Sequence, residues 1–296
     1  MTTPVLTSLR LDDAGLDTMR AQFDRCGLLL VRGCKLDAAG FEKLTTHFCD
    51  RFHHVGARQA IRCNVGDGFT TAVPSQNFIL LGHSEGYYRP TLHLPDVCFF
   101  MCLIPPNVDG GETTLIDGVA MLNQLSPPLR QRLEAQGVIY ECLWEPPRWR
   151  AEFDVADETA LHAFLARFPA ARYTLTDGLL HLFYATPAIF QLPDGTSKFA
   201  NGILAHLPQV THPRYAGLPV HAKPTNRVYF GDGELVPDQV VNTLIDAHDT
   251  VLYGHRWQAR DMLIIDNTRY MHGRNMTSSP CERTLISRFG CLKAIT

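Results

Sequence analysis

Residues 78–86 carry two arrangements that can do chemistry, and the two exclude one another. A strand-like stretch, Phe78-Ile79-Leu80-Leu81, runs into Gly82-His83-Ser84-Glu85-Gly86. Read as G-x-S-x-G, it puts Ser84 on a nucleophile elbow, a sharp strand-to-helix turn that awaits a histidine base. An elbow needs a helix directly behind the nucleophile, and Gly86-Tyr87-Tyr88-Arg89-Pro90 followed by Pro95 cannot supply one. Read as His-x-Glu, the same residues place His83 and Glu85 on one side of a strand, with Ser84 pointing away. They then form two ligands of the 2-His-1-carboxylate triad that holds non-haem iron(II). The third ligand must come from elsewhere. His272 is the candidate, because it lies in Asp266-Asn267-Thr268-Arg269-Tyr270-Met271-His272-Gly273-Arg274, directly after the apolar run Met262-Leu263-Ile264-Ile265. Eleven residues further on, Arg283 opens another strand-like stretch and can aim a guanidinium into the same cavity, where it would clamp a dicarboxylate end-on.

Such side chains need a rigid frame. In the first 50 residues Leu16, Met19 and Phe23, then Phe41, Leu44 and Phe48, recur at i, i+3 and i+7, which predicts two amphipathic helices around a buried strand Gly27-Leu28-Leu29-Leu30-Val31. Beyond residue 75 short apolar runs alternate with Gly, Pro and Asp, as at 97–104 and 113–116, which predicts a mostly antiparallel sandwich or barrel. Segment 119–136 reads as helical with a break at Pro127-Pro128, and Pro237 precedes a helix whose apolar face is Val240, Val241, Leu244 and Ile245. Strands return at 262–265 and 284–289. Residues 140–235, rich in Pro, Gly and aromatics, predict lid and loop material with one helix near 157–167.

Composition narrows the function classes. The 296 residues carry 27 Lys and Arg against 30 Asp and Glu, so no basic footprint for nucleic acid or an anionic membrane exists. The longest apolar runs fall far short of the roughly 20 residues that span a bilayer, and the first residues show no secretory pattern, so the expected location is cytoplasmic. Nine cysteines without a C-x-x-C pair predict free, buried thiols rather than a disulfide framework or a zinc knuckle. No repeat or linker divides the chain, which predicts a single domain over 1–296 with inserted material at about 140–226. A symmetric homodimer is the default assembly for such a protein.

Four blocks resemble the taurine and 2,4-D dioxygenase family, Fe(II)/2-oxoglutarate-dependent oxygenases on a double-stranded β-helix. They are H-S-E at 83–85, P-D-V-C-F-F-M-C-L-I-P-P-N-V-D-G-G-E-T-T-L-I-D-G at 95–118, Y-F-G-D-G at 229–233, and D-N-T-R-Y-M-H-G-R with the later E-R-T-L at 266–285. The resemblance implies a mainly β fold with flanking helices, a jelly-roll (cupin-like) core and a helical and loop insertion. It implies that His83, Glu85 and His272 bind Fe(II), and that Thr113 and Arg283 hold the distal carboxylate of 2-oxoglutarate, with O2 as co-substrate. Having Glu85 where most members have Asp is similar to the branch of clavaminate synthase and the amino-acid hydroxylases. Hydroxylation of an unactivated C–H bond of a small polar substrate, an amino acid or a derivative in secondary metabolism, free or carrier-tethered, is the implied reaction, releasing succinate and CO2. Desaturation, epoxidation and cyclisation use the same cofactors.

In such a barrel, Asn77, Tyr87, Arg89 and Arg274 flank the ligand strands and are candidates for the substrate shell. Arg288 is a weaker candidate for the substrate's acid group, since an unbroken strand puts it on the opposite face from Arg283. Family members often have Gly-Asp before the last ligand strand; this chain has Arg260-Asp261. His93, His206 and His212 read as structural, and Asp117 and Asp266 as turn-fixing residues. A metal- or oxoglutarate-binding protein without turnover, and a serine hydrolase built on Ser84, are the competing classes.

Overall fold

The computed structural model describes residues 5–6, 12–53, 63–64, 69–74 and 77–294. Within it the apolar runs become the strands of two facing sheets. The larger is ordered Val5–Leu6, Leu28–Val31, Met262–Asp266, Val97–Ile104, Thr284–Leu292, Thr71–Pro74, Cys63–Asn64, with Cys49–Phe52 also on Thr284–Leu292. The smaller is ordered Leu252–His255, Thr113–Asp117, Tyr270–Arg274, Leu80–His83. All pairings in both are antiparallel except that of Val5–Leu6 with Leu28–Val31. From Leu80–His83 through Val97–Ile104 to Thr113–Asp117, and again from Leu252–His255 through Met262–Asp266 and Tyr270–Arg274 to Thr284–Leu292, successive strands alternate between the two sheets, the winding of a double-stranded β-helix.

Side-chain alternation explains why the central strands are apolar throughout. Leu28, Leu30, Cys98, Phe100, Cys102, Leu263 and Ile265 point inward to meet Leu115, Trp257 and Phe289. Their neighbours Leu29, Val31, Val97, Phe99, Met101, Met262 and Ile264 point outward to the helices. There Leu16, Met19 and Phe23 of Asp13–Cys26, with Phe41, Leu44 and Phe48 of Ala38–Phe48, cover them. Both faces are dry, so no position on these strands favours a polar residue. Asp12 starts the first helix by accepting from the Gly15 N–H, and Gly27 ends it with φ 65° and its own N–H on Phe23 O. That left-handed turn packs on Asp266, where a Cβ would sit 3.2 Å from the Asp266 Cβ, and its positive φ is what favours glycine here.

Behind the smaller sheet, Val241, Leu244 and Ile245 of the helix Asp238–Val251 pack with Ile116, Met121 and Met271. The break at Pro127 separates two helices, Gly118–Gln124, capped by Asp117, and Pro127–Gln136. Asp266 accepts from the Thr268 N–H, a turn contact as expected. Arg260 has φ 70°, so this chain forces an arginine into the turn conformation that glycine adopts freely.

The insertion is more ordered than its composition predicts. Ala171–Thr176, Leu179–Thr186, Val138–Trp144 and Arg227–Phe230 form a four-stranded antiparallel sheet. With the helices Pro146–Phe153 and Glu158–Leu165 it encloses a core of its own around Trp144, Trp149, Phe153 and Leu161. The signal was an Asp177-Gly178 pair, both at positive φ, joining two strands whose exposure alternates. Irregular backbone is confined mainly to 200–226, with short turns at Leu204–His206 and Pro213–Tyr215. Among the described residues no helix is long and apolar enough to cross a membrane, and the described cysteines whose side chains are placed are free thiols.

Candidate metal centre

The smaller sheet brings the two histidines together. His272 on Tyr270–Arg274 stands directly opposite His83, the last residue of Leu80–His83, and opposed side chains on neighbouring strands share a face. Their rings lie 4.6 Å apart. A bulge follows at once, with Arg274 opposite Leu80, the kind of irregularity that re-aims side chains beside a site. Gly273 sits inside it, where a Cβ would lie 2.3 Å from Leu80 O and 2.7 Å from Thr114 Oγ1, so only glycine lets the strands approach this closely.

Glu85 is not on the strand, contrary to the i, i+2 reading. The strand ends at His83 and Glu85 lies in the turn that follows. Asn267 holds it there by accepting from the Glu85 N–H at 2.8 Å while its amide donates to Glu85 O at 3.0 Å and Pro95 O at 2.8 Å. Asn267 belongs to the same turn that leads into the His272 strand, so one buried side chain ties the carboxylate to the distal ligand. Sequence reasoning passed over it although it stands inside the quoted motif. Glu85 Oε2 lies 3.8 Å from His83 Nε2. His83 Nδ1 faces Leu81 O at 3.3 Å, which directs Nε2 to the centre. His83, Glu85 and His272 are all buried, and each offers a ligand atom within 4.8 Å of the others'.

Thr113 stands opposite Arg274, two residues from the rung of His272, and its hydroxyl accepts from Trp257 Nε1 at 3.1 Å. Arg283, also buried, donates from Nε to Gly111 O at 3.0 Å. Its Nη1 is buried with no hydrogen-bond partner among the described residues. Burial pulls this guanidinium down to about 10, against smaller opposing effects of Cys102, Cys281 and Glu112. A buried donor of that kind fits a carboxylate, and two imidazoles with one carboxylate form the nitrogen–oxygen set that suits non-haem iron(II).

The substrate-shell candidates divide. Arg274 lies over the Phe78 ring at 4.4 Å, and Phe78 stacks on His221. Asn77 is exposed, and Thr277 donates to it at 3.4 Å. Tyr87 packs edge-on to Phe190 instead, near Asp266 and Asp96. Arg89 is taken by Glu152, at 3.0 Å from Nε to Oε2, with Nη1 donating to Glu152 O. Arg288 is a correction: it crosses to the helix side of the larger sheet, donating to Thr45 Oγ1 at 2.6 Å and Glu42 O at 3.1 Å over the Phe52 ring. Strand alternation put it there.

His93 sits beside Arg51 and His212 beside Asp246, as structural residues do. His206 is different: its ring lies 3.8 Å from that of Tyr88, in the turn after Glu85, and it accepts from Lys223. No spacing in the sequence connects these residues. Among the described residues Ser84 Oγ is buried without a hydrogen-bond partner, and a turn, not a helix, follows it, so this serine lacks the elbow of a hydrolase.

Two facing sheets with a His-x-Glu and a distal histidine converging between them define an oxygenase of the oxoglutarate-using class. Residues 4–288 match the family described as taurine catabolism dioxygenase TauD, TfdA family, and the chain belongs to it. A clavaminate synthase-like protein of Arabidopsis thaliana is 25% identical over 283 residues, covering 88% of this chain and 81% of that one. The fold is also similar to PvcB, described as an Fe, alpha-ketoglutarate dependent oxygenase from an isonitrile synthetic pathway, with a TM-score of 0.54 and 16% identity over 93% of this chain and 79% of that one. A taurine dioxygenase from Burkholderia xenovorans gives 0.54 and 13%, covering 99% and 89%.

Proposed function

We propose that His83, Glu85 and His272 hold iron(II), that Arg283 and Thr113 hold the distal carboxylate of 2-oxoglutarate, and that the protein hydroxylates an unactivated C–H bond of an amino acid or a related small polar molecule. The coarser statement, an Fe(II)/2-oxoglutarate-dependent oxygenase acting on a small molecule, follows from the family. When bound, iron(II) and 2-oxoglutarate together activate O2, and the keto acid leaves as succinate and CO2. The chain's own residues orient and exclude. Leu81 O accepts from His83 Nδ1 and so keeps Nε2 as the lone-pair donor. Asn267 fixes the turn that carries Glu85. Phe100, 5.2 Å away and edge-on, and Phe289, stacked at 6.3 Å, wall the His272 ring from water. Held by these three side chains alone, iron(II) would keep positions open for exchangeable groups.

The observation that carries this reading is the buried, partnerless Nη1 of Arg283 in the same barrel as the His-Glu-His cluster. The amino-acid preference is supported by Glu85 in the carboxylate position. Anaerobic titration of the protein with Fe(II) and then 2-oxoglutarate tests the assignment. A saturable visible charge-transfer band is expected, absent in H83A and weakened in R283A. No band from folded, iron-loaded protein overturns it.

A further inference from the structure

One cation of the insertion faces the metal cluster without an acid of its own. The Lys223 N–H donates to Leu207 O at 2.9 Å, which ties its loop to the segment that bears His206. Its Nζ donates to His206 Nε2 at 2.6 Å and lies 4.9 Å from the centroid of the Tyr88 ring. His206 is a neutral partner: its Nδ1 donates to Gly202 O at 2.9 Å, and burial, followed by the Lys223 charge, holds its pKa well below the usual histidine range. One of three ammonium donors is thus spent on a neutral ring and another faces an aromatic surface. Among the described residues no carboxylate forms an ion pair with Lys223.

The nearest acid on the insertion is committed elsewhere. Glu152 is 3.0 Å from Arg89 and 3.8 Å from Arg148. Arg148 Nε is buried without a hydrogen-bond partner among the described residues, while part of its side chain reaches solvent. Among the described residues, Arg89 and Arg148 thus share the Glu152 carboxylate, and Lys223 has no ion pair. Partly buried positive charge without a counter-ion is costly unless an anion arrives to offset it. Tyr88 stands three residues after Glu85 in the same turn, so the cationic wall and the metal ligand are rigidly related.

We propose that Lys223 and Arg148 form a subsite for a carboxylate of the organic substrate, which the insertion grips while the substrate's C–H bond faces His83, Glu85 and His272. This rests on the metal assignment made above. Arg288, on the strand Thr284–Leu292 that follows Arg283, is turned to the helices, so the anchor comes from the insertion in this chain. The groups facing Lys223 are Arg148 and Glu152 from their helix, Cys142 from its strand, Glu85 and Tyr88 from the metal turn, and His206 and His221 from the irregular segment. Burial, with Arg148 second, pulls the ammonium down to about 8. Its charge, and with it the grip on an anion, is present below that pH and lost above it.

Benzoate and benzamide, matched in shape and differing in charge, are the probes. Each is titrated calorimetrically into anaerobic protein saturated with Mn(II) and 2-oxoglutarate, the latter filling the Arg283 side. Wild type is expected to bind the acid about 10-fold or more tightly than the amide. K223M abolishes that preference, K223R retains it, and acid binding weakens as pH rises through about 8 in wild type but not in K223R. Equal binding of the two probes, absence of binding by either, or an undiminished preference in K223M overturns the proposal. Mn(II) binding, read separately by electron paramagnetic resonance in wild type and E85A, reports on the metal assignment, so either failure is recognised for what it is.

Discussion

Arg283 shows how one residue can be unfavourable in the resting protein and necessary for function. Burial pulls its folded pKa down to about 10, below the ordinary guanidinium range, so the charged form is disfavoured by folding. That cost is fully present below pH 10 and fades only as pH rises above it. At neutral pH it is of the order of 3 kcal/mol. R283M is therefore expected to raise the melting temperature of the cofactor-free protein by several degrees while raising KM for 2-oxoglutarate about 10- to 100-fold. Thermal melts with and without 2-oxoglutarate check both signs; a variant that melts lower and binds normally contradicts the assignment. Arg288, five residues on, was put forward as a weaker substrate candidate although strand alternation already set it on the opposite face from Arg283, and it turns to the helices.

On the scale of elements, the vulnerable piece is the edge strand Leu80–His83, which has a strand partner on one side only. Its other edge is held piecemeal by loops and a helix. Ile79 N–H donates to Pro219 O, Ser84 N–H to Asn201 O, and Gly82 N–H to His248 Nε2 at 3.1 Å. His248 Nδ1 in turn donates to Asp249 Oδ1 at 2.8 Å, which fixes the tautomer that accepts. H248L leaves a buried N–H unpaired next to His83, at about 1–3 kcal/mol. About 10-fold weaker Mn(II) binding is expected, the size seen when groups that orient ligands are removed. H248Q, which can still accept, should recover part of it; electron paramagnetic resonance titration decides. G273A forces the two histidine strands apart and should lose metal binding more completely, because its obstruction is main-chain oxygen. None of these roles was visible in the sequence, since His248 belongs to a helix whose apolar face alone was readable.

For the whole molecule, the question is what locks the insertion onto the barrel. Arg89 and Glu152 do so as a buried pair, with side chains only 3% and 2% exposed. Breaking one partner of such a pair typically costs about 3–5 kcal/mol, whereas replacing both with apolar residues is often near neutral. R89M is expected to melt about 10 °C lower, and R89M/E152L to recover most of that loss in the same assay. Recovery places the effect in an unpaired charge, while failure to recover places it in geometry at the Tyr88 turn. Arg89 was legible as a residue near the barrel mouth, but its role as a tie depends on a partner in a region whose sheet the composition concealed.

The sequence by itself determined the layered strands and the two covering helices, because those follow from side-chain periodicity, and its short motifs brought forward His83, Glu85, His272 and Arg283 as candidates. The tertiary structure decided what depends on distant segments meeting: Asn267 clamping Glu85, His248 bracing Gly82, Arg89 paired to Glu152, and Lys223 facing the metal cluster beside His206. Periodicity tells which face a residue presents. It does not tell which residue of another element will stand opposite, and buried polar groups are defined by that partner.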